Sequence, residues 1–151
     1  MTTFPQLISD TGTIFDTDFF TGPSAMPFIQ VHALPFETDL DIPGLCAELS
    51  LEFSQQTRIP LKHISLVWQN LEPGHYAVAG EISDHQLKGS HPIIVEVLIP
   101  DFHDQASQAK MLTALCASIA KHTHVDVKNV FAYCRLAASQ SVYEQGEIQS
   151  W

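Results

Sequence analysis

Basic residues are scarce in this chain. Seven lysines and arginines stand against seventeen aspartates and glutamates, a net charge of −10 with the histidines neutral. Nucleic acids and anionic membrane surfaces both require cationic patches, so neither is expected as a partner. No apolar run nears the ~20 residues that span a bilayer, so no membrane segment is expected. Cysteine is sparse as well. Cys46, Cys116 and Cys134 are odd in number and widely spaced, without a CxxC pair. They read as core residues of a protein in a reducing cytoplasm rather than as a disulfide framework. Residues 1–25 contain no Lys or Arg and no continuous apolar core, so no signal or transit peptide is expected there. His122-Thr123-His124 and His103, between Asp101 and Asp104, lack third and fourth ligands at a metal-site spacing. No metal and no other cofactor is expected.

What is present is the composition of one globular domain: 151 residues, 45% of them hydrophobic. Residues 1–25 show neither helical nor strand periodicity. Phe4, Leu7, Ile14, Phe15, Phe19 and Phe20 nevertheless make them too apolar for a free tail. They are expected as an arm packed on its own or a neighbouring subunit, ahead of a domain over 26–151.

From Pro27 the same pattern runs twice, over 27–81 and 92–147. Phe28 to Leu34 alternates as a strand, with Ile29, Val31 and Ala33 on one side and Gln30 and His32 on the other. His32 reads as a hydrogen-bonded core or interface residue. Asp41 then caps a helix with Pro43 in its first turn and an apolar stripe at Ile42, Leu45, Leu49 and Phe53. Pro60 stops that helix, Ile64 to Leu71 is a second strand, and the Gly-turned EPGHYAVAGE (72–81) suits a small hairpin. In the second unit IIVEVLI (93–99) is a strand. A helix from about Asp104 follows, with Leu112, Leu115, Cys116 and Ile119 on one face, and VFAYCRL (130–136) is the matching strand. QSVYEQGE (140–147) occupies the place of GHYAVAGE. Pro92 follows Pro27 by 65 positions, and Gly146-Glu147 follows Gly80-Glu81 by 66. An offset so nearly constant marks an internal duplication.

A strand–helix–strand unit in one sheet gives parallel strands with the helix over one face. Two units therefore predict an α+β fold: a four-stranded mixed sheet with both helices on the same face. Nothing in the sequence covers the other face, so an oligomer is expected.

PFIQVHAL, its helix, and RIPLKHISLVWQNLEPGHYAVAGE resemble the tautomerase superfamily. The likeness is to members of the 4-oxalocrotonate tautomerase type, and the doubled length to fused members such as macrophage migration inhibitory factor and cis-3-chloroacrylic acid dehalogenase. It covers residues 27 to about 148. The resemblance implies a homotrimer acting on a small molecule, with pockets at subunit boundaries around an N-terminal proline. Pro27 falls at that catalytic position. Tyr76 falls at the aromatic position of the GHY segment, and Tyr133 and Glu144 at a tyrosine and a glutamate that activate water in the dehalogenase. Glu37 and Ser65, and in the second unit Pro100 and His103, stand where relatives carry substrate-binding arginines. Arg135, two residues from Tyr133 on one strand, shares its face and is the best available carboxylate anchor.

The chemistry turns on one nitrogen. A terminal proline amine in a partly apolar pocket titrates nearer neutrality and can carry a proton between carbon and oxygen of an enolisable keto acid. An acylated proline has a delocalised lone pair and no basicity. The leading expectation is a keto–enol tautomerase beginning at Pro27, with Tyr133, Arg135, Tyr76 and Glu144 around the substrate. The alternatives are a non-catalytic or altered-function ligand- or partner-binding member with Pro27 blocked, or a proline-independent hydratase or dehalogenase-like enzyme using Glu144 and Tyr133 to activate water.

Overall fold

The computed structural model describes residues 26–151, so the arm expected over 1–25 lies outside the described residues. Each unit builds two parallel strands around a helix. In the first, β1 (Phe28–Ala33) leads to α1 (Ile42–Thr57), a short 3-10 turn and β2 (Ser65–Asn70), then a hairpin of β3 (Ala77–Val78) and β4 (Glu81–Ile82). In the second, β5 (Ile93–Pro100) leads to α2 (Gln105–Thr123), another 3-10 turn and β6 (Val130–Ala137), then a hairpin of β7 (Val142–Glu144) and β8 (Glu147–Gln149). The main sheet has the order β2-β1-β5-β6. β1 and β2 are parallel, as are β5 and β6, while β1 and β5 meet antiparallel with Phe28 opposite Leu98 and His32 opposite Ile94. This is the expected α+β arrangement.

Local chemistry repeats with the duplication. Asp41 accepts from the Gly44 N–H to cap α1, with Pro43 in the first turn, and Asp104 accepts from the Ser107 N–H to cap α2. A side-chain acceptor there satisfies one of the amide donors left unpaired at a helix start. Both helices end on a residue in the left-handed region, Arg58 (φ 63°) and His124 (φ 62°). α1 therefore stops ahead of Pro60, because a cap bond from the Arg58 N–H to the Ser54 carbonyl closes it first. The hairpins turn at Ala79-Gly80 (φ 53° and 81°) and Gln145-Gly146 (φ 53° and 87°). Two successive positive φ values are the I′ turn that suits the right-handed twist of paired strands.

Strand alternation assigns the two sheet faces. Ile29, Val31, Ala33, Ile93, Val95, Val97 and Ile99 are fully buried beneath Leu45, Leu49 and Phe53 of α1 and Met111, Leu115 and Ile119 of α2. Both helices thus share one face. The other face carries Phe28, Gln30 and His32, then Ile94, Glu96 and Leu98, then Phe131, Tyr133 and Arg135. Phe131 is 57% and Tyr133 37% exposed. Strand β1 ends one residue earlier than the alternation suggests, because the Leu34 N–H turns to the Gln86 side chain at 3.1 Å. Buried Gln86 also donates to the His91 carbonyl at 2.7 Å, fixing the link between the units.

Candidate functional site

Pro27 immediately precedes β1 and is buried. Its carbonyl accepts the Ser65 N–H at 3.1 Å, tying it to the start of β2. Its nitrogen is bonded to Met26 in this chain and is an amide. Because Phe28 lies opposite Leu98 on an antiparallel strand, one further step of register sets Pro27 against Ile99. Strand β5 then runs on through Pro100 into the turn Asp101–His103, so this turn lies at the Pro27 end of the sheet.

That turn is built from aromatic rings and one carboxylate. The Asp101 N–H donates to the Ala137 carbonyl at 2.9 Å. Trp151 folds back over it: its Nε1–H donates to Asp101 Oδ1 at 2.8 Å, and its backbone N–H donates to Ser139 Oγ at 2.9 Å. Phe102 meets Trp151 edge-on at 6.4 Å and His103 at 4.5 Å between ring centroids. Burial lowers the His103 pKa below its usual 6.5, and the neighbouring Asp104 carboxylate opposes this only in part. His103 Nε2 is buried without a hydrogen-bond partner. Asp104 itself is held below the usual carboxylate range by the Ser107 N–H that it caps.

Tyr133 and Arg135 come together on the open face of the sheet. They do so through a residue the sequence reading did not single out. The Tyr133 hydroxyl donates to Glu96 Oε2 at 2.5 Å, and Arg135 Nη2 lies 3.4 Å from the same oxygen. The bond to Glu96 raises the Tyr133 pKa, since an ionised phenol loses the donated proton. Glu96 pairs in register with Tyr133, and Leu98 with both Phe28 and Arg135. Arg135 therefore stands two strands from Phe28, about 10 Å across the sheet. The available signal was the lone charge in IIVEVLI, a polar residue in a strand that is otherwise apolar.

Tyr76 and Glu144 sit elsewhere, ahead of β3 and within β7. The Tyr76 hydroxyl donates to the Pro92 carbonyl at 2.8 Å, and its ring stands edge-on to His91 at 5.3 Å. Burial raises its pKa. Glu144 lies opposite Glu147 in the second hairpin, its carbonyl accepts from Gln149 Nε2, and its Oε2 is buried without a partner. Of the positions that the resemblance sets against arginines, Glu37 and Ser65 are exposed, Pro100 is buried and His103 is half-buried.

Other polar features lie on the helix side. A cavity of about 230 Å³ is lined by Leu40, Asp41, Gly44, Leu45, Glu48 and His122. His122 bridges α2 to α1: its Nδ1 is 3.2 Å from Glu48 and its Nε2 is 2.8 Å from Glu52. Among the described residues no group of three or more His, Cys, Asp or Glu side chains is placed to hold a metal ion. No helix among them is long and apolar enough to cross a membrane.

No protein-family profile and no curated protein matches the chain. Solved structures do match. A fused 4-OT, a wild-type symmetric trimer, is 20% identical with a TM-score of 0.68, over 81% of this chain and 94% of its own. Pt0534, inactivated by 2-oxo-3-pentynoate, is 16% identical with a TM-score of 0.69, over 81% and 95%. A member of the cis-3-chloroacrylic acid dehalogenase family is 13% identical with a TM-score of 0.67, over 81% and 82%. With paired strand–helix–strand units, a β2-β1-β5-β6 sheet and a proline at the head of β1, this chain has the fold of the tautomerase superfamily.

Proposed function

We propose that the domain beginning at Pro27 is a keto–enol tautomerase of a small keto acid, active when residues 1–26 are removed and Pro27 carries a free amine. The observation that supports this is the placement of Pro27: buried, directly at the head of β1, with methionine immediately before it. A secondary amine there loses hydration, which disfavours its protonated form and brings its pKa toward neutrality. It takes a proton from the enol oxygen of the substrate and delivers one to the adjacent carbon, or runs the reverse. Arg135, exposed and engaged with Glu96 through a single contact, keeps N–H donors for a carboxylate. Tyr133 orients that guanidinium by holding the same Glu96 oxygen.

The domain acts as a homotrimer. This reading rests on the open sheet face, where Phe131 and Val67 are exposed beside half-buried Ile94 and Leu98, and on trimeric neighbours such as the fused 4-OT. An apolar face of this extent is stable in water when a further copy covers it.

A direct test compares the full chain with one starting at Pro27 in the ketonisation of phenylenolpyruvate. The shorter chain should be at least tenfold faster, and 2-oxo-3-pentynoate should add its mass to the Pro27 nitrogen of that chain alone. A shorter chain no faster than the full one overturns the proposal. A second reading, in which the intact chain binds ligand or partner without using Pro27, is favoured by one observation: the Met26–Pro27 amide leaves no basic nitrogen.

A further inference from the structure

The leading segment and the corner of the fold that it joins are complementary in charge and in apolar character. Residues 1–25 hold four phenylalanines and three aspartates, with no Lys, Arg or His. Ile14-Phe15-Asp16-Thr17-Asp18-Phe19-Phe20 gathers three of those rings around two of those acids. We propose that residues 14–20 dock on the Pro27 corner of their own subunit, the phenylalanines against Leu61 and Phe102 and the two aspartates against Arg58 and Lys62. Its functional meaning rests on the Pro27 reading: the segment then covers the site as well as acylating its nitrogen.

Three observations carry this. First, apolar surface is left open where the segment joins. The Pro27 carbonyl accepts the Ser65 N–H, and the 3-10 turn Leu61–His63 lies just ahead of Ser65 on that side. On the other side, the antiparallel register carries β5 past Pro27 toward Phe102. Leu61 is 46% and Phe102 50% exposed, so large apolar side chains flank the buried proline. Second, cations stand here without acids. Residues 53–71 contain no Asp or Glu but include Arg58, Lys62 and His63. Among the described residues Lys121 and Arg135 pair with carboxylates, whereas Arg58 and Lys62 do not. The acids on the Phe102 side are engaged, Asp101 by the Trp151 indole and Asp104 by the Ser107 N–H. Third, the tether reaches. Phe20 stands seven positions before Pro27, a span of at most about 25 Å when extended. Gly22-Pro23 is a turn signal within it, suited to a chain that doubles back.

Charge selects this corner over the rest of the molecule. A chain of net charge −10 repels a segment carrying Asp16 and Asp18 from most of its surface. Lys88 and Lys128 form the other cationic pair, at the opposite end of the sheet, ahead of Ile93 and Val130. An acid stands between them: the Asp126 N–H donates to the Lys88 carbonyl at 3.2 Å, and its carboxylate accepts the Lys128 N–H at 2.9 Å. Rings laid on Leu61 and Phe102 supply the contact area, while exposed ion pairs to Arg58 and Lys62 set the register of the segment more than its strength of binding.

The test uses the full-length chain. Chymotrypsin cuts after phenylalanine, and its rate at Phe15, Phe19 and Phe20 is followed by mass spectrometry. Protection is the rate on a free peptide of residues 1–25, carrying the same substitutions, divided by the rate on the chain. The variants are Asp16→Lys/Asp18→Lys, Arg58→Asp/Lys62→Glu, all four together, and Lys88→Glu/Lys128→Glu as the control. Aspartate is used at 58 because it tolerates the φ of 63° there. Expected are protection of at least tenfold in the wild type and the control, less than a third of that in either reversed pair, and recovery to within twofold of wild type in the four-site variant. Added salt should lower the wild-type value. Asp16→Lys/Asp18→Lys leaves every residue of the sheet and helices unchanged, so it decides the matter if Arg58→Asp/Lys62→Glu does not fold. No protection in the wild type, protection indifferent to Asp16→Lys/Asp18→Lys or to a folded Arg58→Asp/Lys62→Glu, no recovery in the four-site variant, or an equal loss in the control overturns the proposal. The readout involves no turnover, so this proposal and the Pro27 reading fail separately.

Discussion

Glu52→Gln removes the centre of the ion cluster that joins α1 to α2. Glu52 Oε1 lies 3.1 Å from Lys121 Nζ and 2.8 Å from His122 Nε2, whose ring also reaches Glu48. The Ser118 hydroxyl, His122 and Lys121 together lower the Glu52 pKa from 4.5 to about 2. At ~1.4 kcal/mol per pKa unit, that drop corresponds to roughly 3 kcal/mol if no solvent intervened. The Glu52 side chain is 21% exposed and that of Lys121 69%, so water and salt screen the cluster. About 1 kcal/mol is the expected net stabilisation. Its sign with pH follows from the direction of the change. A carboxylate whose folded pKa is depressed stabilises the fold above its unfolded value, near 4.5, and loses that contribution as pH falls toward about 2. Urea unfolding at fixed protein concentration, at pH 7, 5, 4 and 3, should show the variant less stable by about 1 kcal/mol at pH 7. The gap should narrow steadily below pH 5. Equal stabilities at pH 7, or a gap that does not change with pH, refute the electrostatic argument.

Two further substitutions probe the fold. Gly146→Ala meets no atom within 4 Å of the added methyl, so its whole cost is the φ of +87°; a loss of about 1 kcal/mol and a lower melting temperature are expected, and an unchanged melting curve contradicts the turn geometry. Tyr76→Phe removes the donor to the Pro92 carbonyl and should lower unfolding free energy by about 1 kcal/mol. The same variant, assayed in the chain beginning at Pro27, also shows by its KM whether that hydroxyl serves substrate.

The fold was legible because its signals are local. Alternation in IIVEVLI, the stripe of Leu45, Leu49 and Phe53, and the Asp41 and Asp104 caps each lie within a few residues of what they determine. The repeat offset then supplied the pairing of units that single elements could not. What escaped notice acts across the chain. Glu52 and His122 are seventy positions apart, and Tyr133 meets Glu96 only through the register of two strands thirty-seven residues apart. Gln86, unremarkable in sequence, becomes the buried staple of the link because its partners are backbone groups that no side-chain pattern advertises. The proline position was legible from resemblance, whereas the buried, unpartnered Nε2 of His103 emerged only once the Phe102 ring had been placed against it.

The two repeats agree in their centres and disagree at one end. Between β1 and α1 the chain spends residues 34–41, whereas between β5 and α2 it spends only 101–104, with the difference taken up by a longer strand and a longer helix. The two repeats therefore diverge at matching corners. One corner keeps a roomy excursion and the other a taut hinge with tryptophan latched across it. Substitutions at either corner can accordingly be tuned without disturbing its twin, so the two ends of the doubled unit are free to serve unlike ends.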